Sequence, residues 1–218
     1  MLFRSVYRPM LSRDDNRASR LTRAAFLHNL RAWTALGPYL IRAAASEHGM
    51  LDMAQRGRPF MMNVQSDAVI AERFDKYRQA LRKAGHSDAS VAALVDESWV
   101  WRNVVVADTD AEAERIAVPA FTAMNELRTA MRNRVASEQG VSLAPPDATA
   151  KPARTSIEHG LVYGSPATVA EKLAPIVRTG VGGMIIQFRL GPMSFSQTEH
   201  SLRLFQSGVM PRLAKVKG

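Results

Sequence analysis

The sequence predicts an α/β fold, a partial (β/α)8 barrel of the TIM type with about four parallel strands. Two observations carry this. Residues 164–173, GSPATVAEKL, followed by residues 180–193, GVGGMIIQFRLGPM, read as a capped helix that passes through a glycine-rich turn into a short buried strand ending in polar groups. That is the βα repeat of a barrel. Further upstream, three more strand-like segments alternate with helical patterns, and no other internal repeat is evident. A chain of 218 residues with 46% hydrophobic residues and mean hydropathy −0.15 has enough apolar surface for one such domain.

Residues from Ser19 to Leu36 are helix-permissive, with Leu21, Ala24, Leu27 and Leu30 loosely amphipathic, and Gly37-Pro38 ends them. Tyr39 to Ala45 suits a buried strand. A short helix opens at Ser46, runs through Gln55 and stops at Gly57. Phe60 to Val64 is the next strand. Ser66 can cap a helix from Asp67 to Ala84, because its side-chain oxygen satisfies an amide of the first turn. Ile70, Phe74, Tyr77 and Leu81 recur at helical spacing, and Gly85 supplies the stop.

Trp99 to Ala107 is valine-rich and alternating, which argues strand. Thr109 with Glu112 spells a capping box, opening a long helix that carries Met124, Leu127, Met131 and Val135 on one face. Pro119 is expected to kink that helix or split it in two, since proline removes an amide donor. Ser137 to Gly160 is an excursion too long for a tight connection, either a lid or an ordered crossing segment. Ser165 then caps a helix with Pro166 at its first position and Val169, Leu173 and Ile176 facing inward. Val181 to Phe188 is the last strand, and Gln197 to Val209 a closing helix.

Four strands cannot close a parallel barrel, which needs about eight to pair every edge. The expectation is an open sheet, half a barrel, or two halves joined by self-association, because unpaired edges and an apolar face template further pairing. The organisation is an atypical, partly helical N-terminal segment over residues 1–38 and a half barrel over residues 39–218.

The chain has no cysteine, so disulfides and thiolate metal sites are excluded; with no apolar run long enough for a bilayer and no signal-peptide core, this predicts a cytoplasmic protein. A net charge of +9 raises a polyanion as partner, and much of the excess precedes residue 60, from Arg4 through Arg58. A solvated basic face explains it as well as nucleic acid does. Zinc spacing, an aromatic RNA-binding strand and a helix-turn-helix are all missing from the sequence. His28, His48, His86, His159 and His200 show no ligand spacing, so no metal site is expected.

The region from about Tyr39 to Leu213 resembles the C-terminal half of the luciferase-like monooxygenase family, flavin-dependent barrel enzymes related to the bacterial luciferase alpha chain. The resemblance lies in RAAASEHG at 42–49, AQRGRPF at 54–60, the Gly164-Ser165-Pro166 helix start, QFRLGPM at 187–193 and Val209-Met210-Pro211. It implies an eightfold barrel that binds FMN, or a deazaflavin, at the carboxyl ends of its strands. The implied reaction joins reduced flavin, oxygen and a small organic substrate, with a flavin reductase supplying electrons. Ser46 aligns with a phosphate-contacting serine, and Ala45 stands where relatives can carry an acid. The hydroxyl of Ser46 and the first-turn amides of Ser46, Glu47 and His48 can converge on a dianion. Equally, Ser46 can simply cap its own helix.

The first 38 residues do not look like the family's middle region, and the strands that carry early catalytic contacts in relatives are not seen before Tyr39. No catalytic base is therefore assigned, and the chain is expected to be an incomplete piece without activity alone. His48 can help neutralise phosphate or sit on the surface. Arg189 stands at the end of the last strand, where barrels place functional groups, or pairs with a neighbouring helix. Gln187 can face ring or core. Trp99, Trp101, Met61 and Met62 can line an apolar pocket or pack in the core, and Asn63 can donate to a flavin carbonyl or cap a loop. The alternative function is a non-catalytic basic nucleic-acid-binding module.

Overall fold

A computed structural model describes residues 41–44, 46–140 and 153–217. The chain divides into two compact units after Ile41, and the whole sheet belongs to the second. The expected helix before Gly37 and half of the 137–160 excursion, residues 141–152, fall outside the described residues.

Five strands form one wholly parallel sheet: β1 (Arg42–Ala44), β2 (Phe60–Met62), β3 (Trp99–Val106), β4 (Val162–Gly164) and β5 (Gly183–Gln187). β1 pairs with β2, β2 with β3, and β3 with β5. Because Trp99 and Val100 pair with both β2 and β5, those two strands flank β3 on opposite edges. Thus β1, β2, β3 and β5 run side by side in chain order, as the predicted βα repeat requires. The sequence reading has no β4. This three-residue strand joins only the far end of β3, Val104 to Val106, and is too short to show alternation.

The connecting helices are α1 (Glu47–Gln55), α2 (Asp67–Lys83), α3 (Asp88–Asp96), α4 (Asp110–Glu138), α5 (Ile157–Gly160) and α6 (Pro166–Arg178). After β5 come α7 (Phe195–Leu204), a π-helical turn (Phe205–Val209) and α8 (Met210–Lys217). The closing helix thus begins at Phe195 rather than Gln197, because Ser194 and Gln197 form a full capping box. α3 has no counterpart in the sequence reading, since only Val91 and Val95 of its nine residues are buried.

Alternation along the strands separates two faces. Phe60 and Met62 of β2, and Val100, Val104 and Val106 of β3, enter the main core with Ile70, Phe74, Tyr77 and Leu81 of α2 and Val169, Leu173 and Ile176 of α6. Phe60 packs edge-on to Tyr77 with ring centroids 4.8 Å apart. Burial pushes the Tyr77 phenol up to about 12, so it stays protonated and donates to the Arg58 carbonyl at 2.7 Å. Met62 therefore belongs to the core and cannot share a pocket with Met61, Trp99 and Trp101, which lie on the opposite face.

Local expectations along α4 meet the structure unevenly. Pro119 neither breaks nor splits α4, which runs as one helix of 29 residues; packing of Ala117, Ala120, Phe121 and Met124 against Val105 and Leu190 carries it through. On that helix Met124 is buried, while Leu127, Met131 and Val135 are exposed. Thr109 accepts from the Glu112 amide at 3.2 Å, which is one half of the capping box that the sequence suggests.

Ser165 is the N-cap of α6 by position, yet its side chain makes no capping bond to the helix backbone. The acceptor comes from α4. Asp110 takes the Ser165 amide at 2.6 Å and the Thr168 hydroxyl at 2.9 Å. The Ser165 amide, followed by the Thr168 hydroxyl, holds the Asp110 carboxyl below its ordinary 3.8. A carboxyl depressed in the folded state stabilises fully above its unfolded value and loses that contribution as pH falls through the folded one. Asp110→Asn should therefore lower the thermal midpoint near neutral pH, with the gap to wild type closing below about pH 4. A gap that persists unchanged to pH 2 would contradict the tether.

Candidate functional site

In a parallel sheet every strand delivers its carboxyl end to the same edge, and each following helix starts there. Ser46 follows β1, Asn63 follows β2, Asp108 and Thr109 follow β3, and Arg189 follows β5, so all lie along one rim. Helix N-termini bring unpaired amides and partial positive charge to such an edge.

These termini differ in how far they are already satisfied. At α6 Asp110 occupies the amide of Ser165, closing that end to another anion. α4 has Asp110 and Glu112 in its first turn, and α2 has Asp67. At α1 the Ser46 hydroxyl oxygen accepts from the Gly49 amide at 3.2 Å, which leaves its proton free to donate. Glu47 is in that first turn too, but Lys76 of α2 meets it at 2.9 Å. The Glu72 and Glu47 carboxylates hold the Lys76 ammonium above its ordinary range, keeping it charged. His48 is exposed beside them.

Of the other residues singled out by sequence, Asn63 is half-buried and its carbonyl accepts from the Gln65 side chain at 3.1 Å, a loop-stabilising contact. Among the described residues Arg189 makes no salt bridge to a neighbouring helix; its guanidinium lies over the Phe195 ring, 5.4 Å from the centroid, at the start of α7. The Gln187 side chain donates to the Arg189 carbonyl at 3.0 Å and to the Met124 sulfur at 3.6 Å, so it braces the rim on which Arg189 stands. Ala45 falls outside the described residues.

Below the rim, the face opposite the main core carries Met61, Trp99, Trp101 and Ile185 in successive layers: Ala43, Met61, Trp99 and Gly183 are in register, as are Trp101 and Ile185. A Cβ added at Gly183 would lie 3.1 Å from the Trp99 indole, which fixes that ring on this face.

Sequence reasoning missed three features of the site. Asn103, in register with Gln187, is buried; its amide donates to the Gly160 carbonyl at 2.7 Å while its own carbonyl oxygen has no partner among the described residues. His200 of α7 stands 3.0 Å from Asp108 at the end of β3. Asp110 organises two helix starts. Each depends on a contact between residues 55 to 92 positions apart, which local spacing cannot show. No helix among the described residues is long and apolar enough to cross a membrane.

The family model described as luciferase-like monooxygenase matches residues 7–183, beginning inside the segment that the sequence reading set apart. Among solved structures, the chain is similar to monooxygenase RslO1 from Streptomyces bottropensis at 18% identity and TM-score 0.53, covering 78% of this chain and 46% of that one. It is similar also to the oxygenating constituent of 3,6-diketocamphane monooxygenase from Pseudomonas putida, solved in complex with FMN, at 20% identity and TM-score 0.54, with 78% and 47% covered. These likenesses show the fold, and the chain spans about half the length of each. A separate similarity, 79% identity over 67 residues, is to the tRNA 5-methylaminomethyl-2-thiouridine biosynthesis bifunctional protein MnmC of Thiobacillus denitrificans; it takes in 31% of this chain and 10% of that protein.

Proposed function

This chain belongs to the luciferase-like monooxygenase family, and we propose that it serves a flavin-dependent oxidoreductase, a monooxygenase that uses reduced FMN and oxygen on a small organic substrate. The observation that carries the reading is the α1 terminus on the carboxyl rim: a serine hydroxyl with its proton to give and first-turn amides, beside a Glu47 that is ion-paired at 2.9 Å with Lys76, which Glu72 shares at 2.7 Å. That donor set suits a phosphate dianion. Met61, Trp101 and Ile185 offer an apolar wall for a flat ring, and the unpartnered Asn103 carbonyl is a buried acceptor on the same face.

When bound, the flavin would supply the redox chemistry, and the protein's part is to hold and orient it and to exclude water. Ser46 and the α1 amides would hold the phosphate, and Arg189, positioned by Phe195 and by Gln187 beneath its backbone, would add positive charge at the far end of the rim. A flavin reductase is the class of partner that supplies the electrons. A deazaflavin bearing a phosphate would meet the same donors.

Titration of the full chain with FMN, read by quenching of flavin fluorescence, tests the reading. Ser46→Asp keeps the capping oxygen for the Gly49 amide but adds a negative charge where the phosphate would sit. It should weaken FMN binding about tenfold or more while leaving riboflavin, which has no phosphate, almost unaffected, since one charge-assisted contact is worth about 1.5–3 kcal/mol. Equal weakening of both ligands would remove the phosphate assignment. Salt-dependent retention of DNA with no flavin interaction would favour the alternative, a basic nucleic-acid-binding module.

A further inference from the structure

Among the described residues, the face of the sheet opposite the main core, its inner face, is only partly covered. Trp99 remains 40% exposed at the centre of the sheet, and Met61, Trp101, Ile185 and Gln187 are only half-buried, whereas Phe60, Met62, Val100, Arg102 and Val104 on the other face of β2 and β3 are buried. Beyond β1 on one side and β5 on the other, no strand pairs with the sheet among the described residues. We propose that a second copy of this chain covers that face, the two sheets joining edge to edge about a two-fold axis parallel to the strands, so that one eight-stranded parallel ring forms.

Three observations select a second copy. First, a two-fold axis along the strand direction keeps all strands parallel and sets β1 of each copy beside β5 of the other, so both open edges are paired at once; β1, β2, β3 and β5 contribute four strands per copy, and about eight is the number that closes a packed ring. Second, the strand side chains of the inner face, Ala43, Met61, Trp99, Trp101, Ile185 and Gln187, are all neutral, on a chain whose net charge is +9, and Arg128 of α4 approaches them through Gln187, to which it donates at 3.4 Å. Two copies can meet there without charged strand side chains facing each other. Third, the similar single-chain structures are about twice as long as the part this chain matches, so the fold it belongs to takes a second half of comparable size. The joined ring would bring two identical carboxyl rims around one mouth, and each candidate site would gain a second wall.

The inference concerns assembly and is read without flavin, so it can fail while flavin binding stands, and the reverse. Sedimentation equilibrium of the full chain should give twice the 24.0 kDa chain mass. Trp101→Glu and Ala43→Glu place a charge inside the ring and should raise the dissociation constant about thirtyfold or more, the effect of a central interface residue. Gln79→Glu, on the exposed side of α2, whose other side packs on the main core, should leave the dimer intact. Should the inner-face variants lose helix content by circular dichroism, amide hydrogen exchange of the wild type decides: residues 42–44 and 183–187 should exchange more slowly at high protein concentration than at low. A monomer at all concentrations, an open-ended series of larger species, a dimer that survives both inner-face variants, or edge-strand exchange independent of concentration would each overturn the proposal.

Discussion

Gly182→Ala should leave the chain largely unfolded at room temperature. The Gly182 amide donates to the carbonyls of both Val95 and Ser98, at 3.2 and 3.1 Å, and so lies directly against the turn that joins α3 to β3. A Cβ at this position would stand 1.4 Å from the Asp96 carbonyl oxygen and 2.2 Å from its carbonyl carbon. Both are backbone atoms, so no rotamer change relieves the clash. Separating the segments would break the two hydrogen bonds and pull β5 from β3, where Gly183 to Gln187 pair with Trp99 to Asn103. Ordinary overpacking costs about 1–3 kcal/mol, and this contact lies beyond that range while total stability is commonly only about 5–15 kcal/mol. Gly183→Ala is the control. Its Cβ would meet only the Trp99 ring at 3.1 Å, and an exposed ring can shift. Urea unfolding followed by circular dichroism checks the pair: a Gly182→Ala midpoint close to wild type would refute the close-approach argument.

The contrast between these neighbours reflects what the sequence does and does not disclose. The glycine-rich turn before β5 is legible, because consecutive glycines before a valine-rich or isoleucine-rich run mark a strand entry; which glycine is indispensable depends on Asp96, more than eighty positions away. β3 and α2 are legible because hydrophobic period, flanking caps and burial coincide: Val100, Val104 and Val106 alternate, and Ser66 does accept from the Val69 amide at 3.4 Å. By contrast, Ser165 stands at the N-cap of α6 with every local sign of a capping side chain and makes no capping bond to the helix backbone; its own amide is taken by Asp110, which follows the neighbouring strand β3. Pro119 breaks a local rule that tertiary packing overrides. The rim itself follows from topology, so Ser46, Asn63 and Arg189 could be placed on it by strand order alone. The partners that tune it, Lys76 at Glu47 and Phe195 at Arg189, come from other elements and carry no sequence signature.

Asp67→Ala should cost about 3–5 kcal/mol, more than replacement of its partner. Arg102 is 2% exposed on the core face of β3, among valines, and a 2.8 Å bond to Asp67 at the start of α2 answers its charge. Burial pushes the Arg102 guanidinium down from its ordinary range, and the Asp67 carboxylate opposes that shift. The two ends of the pair are unequal. Asp67 is about half exposed, at 47%, and can return to water when Arg102 is lost, whereas Arg102 has no such exit when Asp67 is lost. Arg102→Met keeps an unbranched apolar stem in the valine layer and removes the desolvated charge, so it should lie within about 1.5 kcal/mol of wild type and can stabilise the fold. Asp67→Ala also removes an acid from the first turn of α2, which adds a few tenths of a kcal/mol to about 1 kcal/mol to the loss. Asp67→Asn retains an acceptor for the guanidinium and should fall between the two. Denaturant midpoints at neutral pH order the three variants, and an Arg102→Met loss larger than that of Asp67→Ala would show that the arginine is held for its charge rather than despite it.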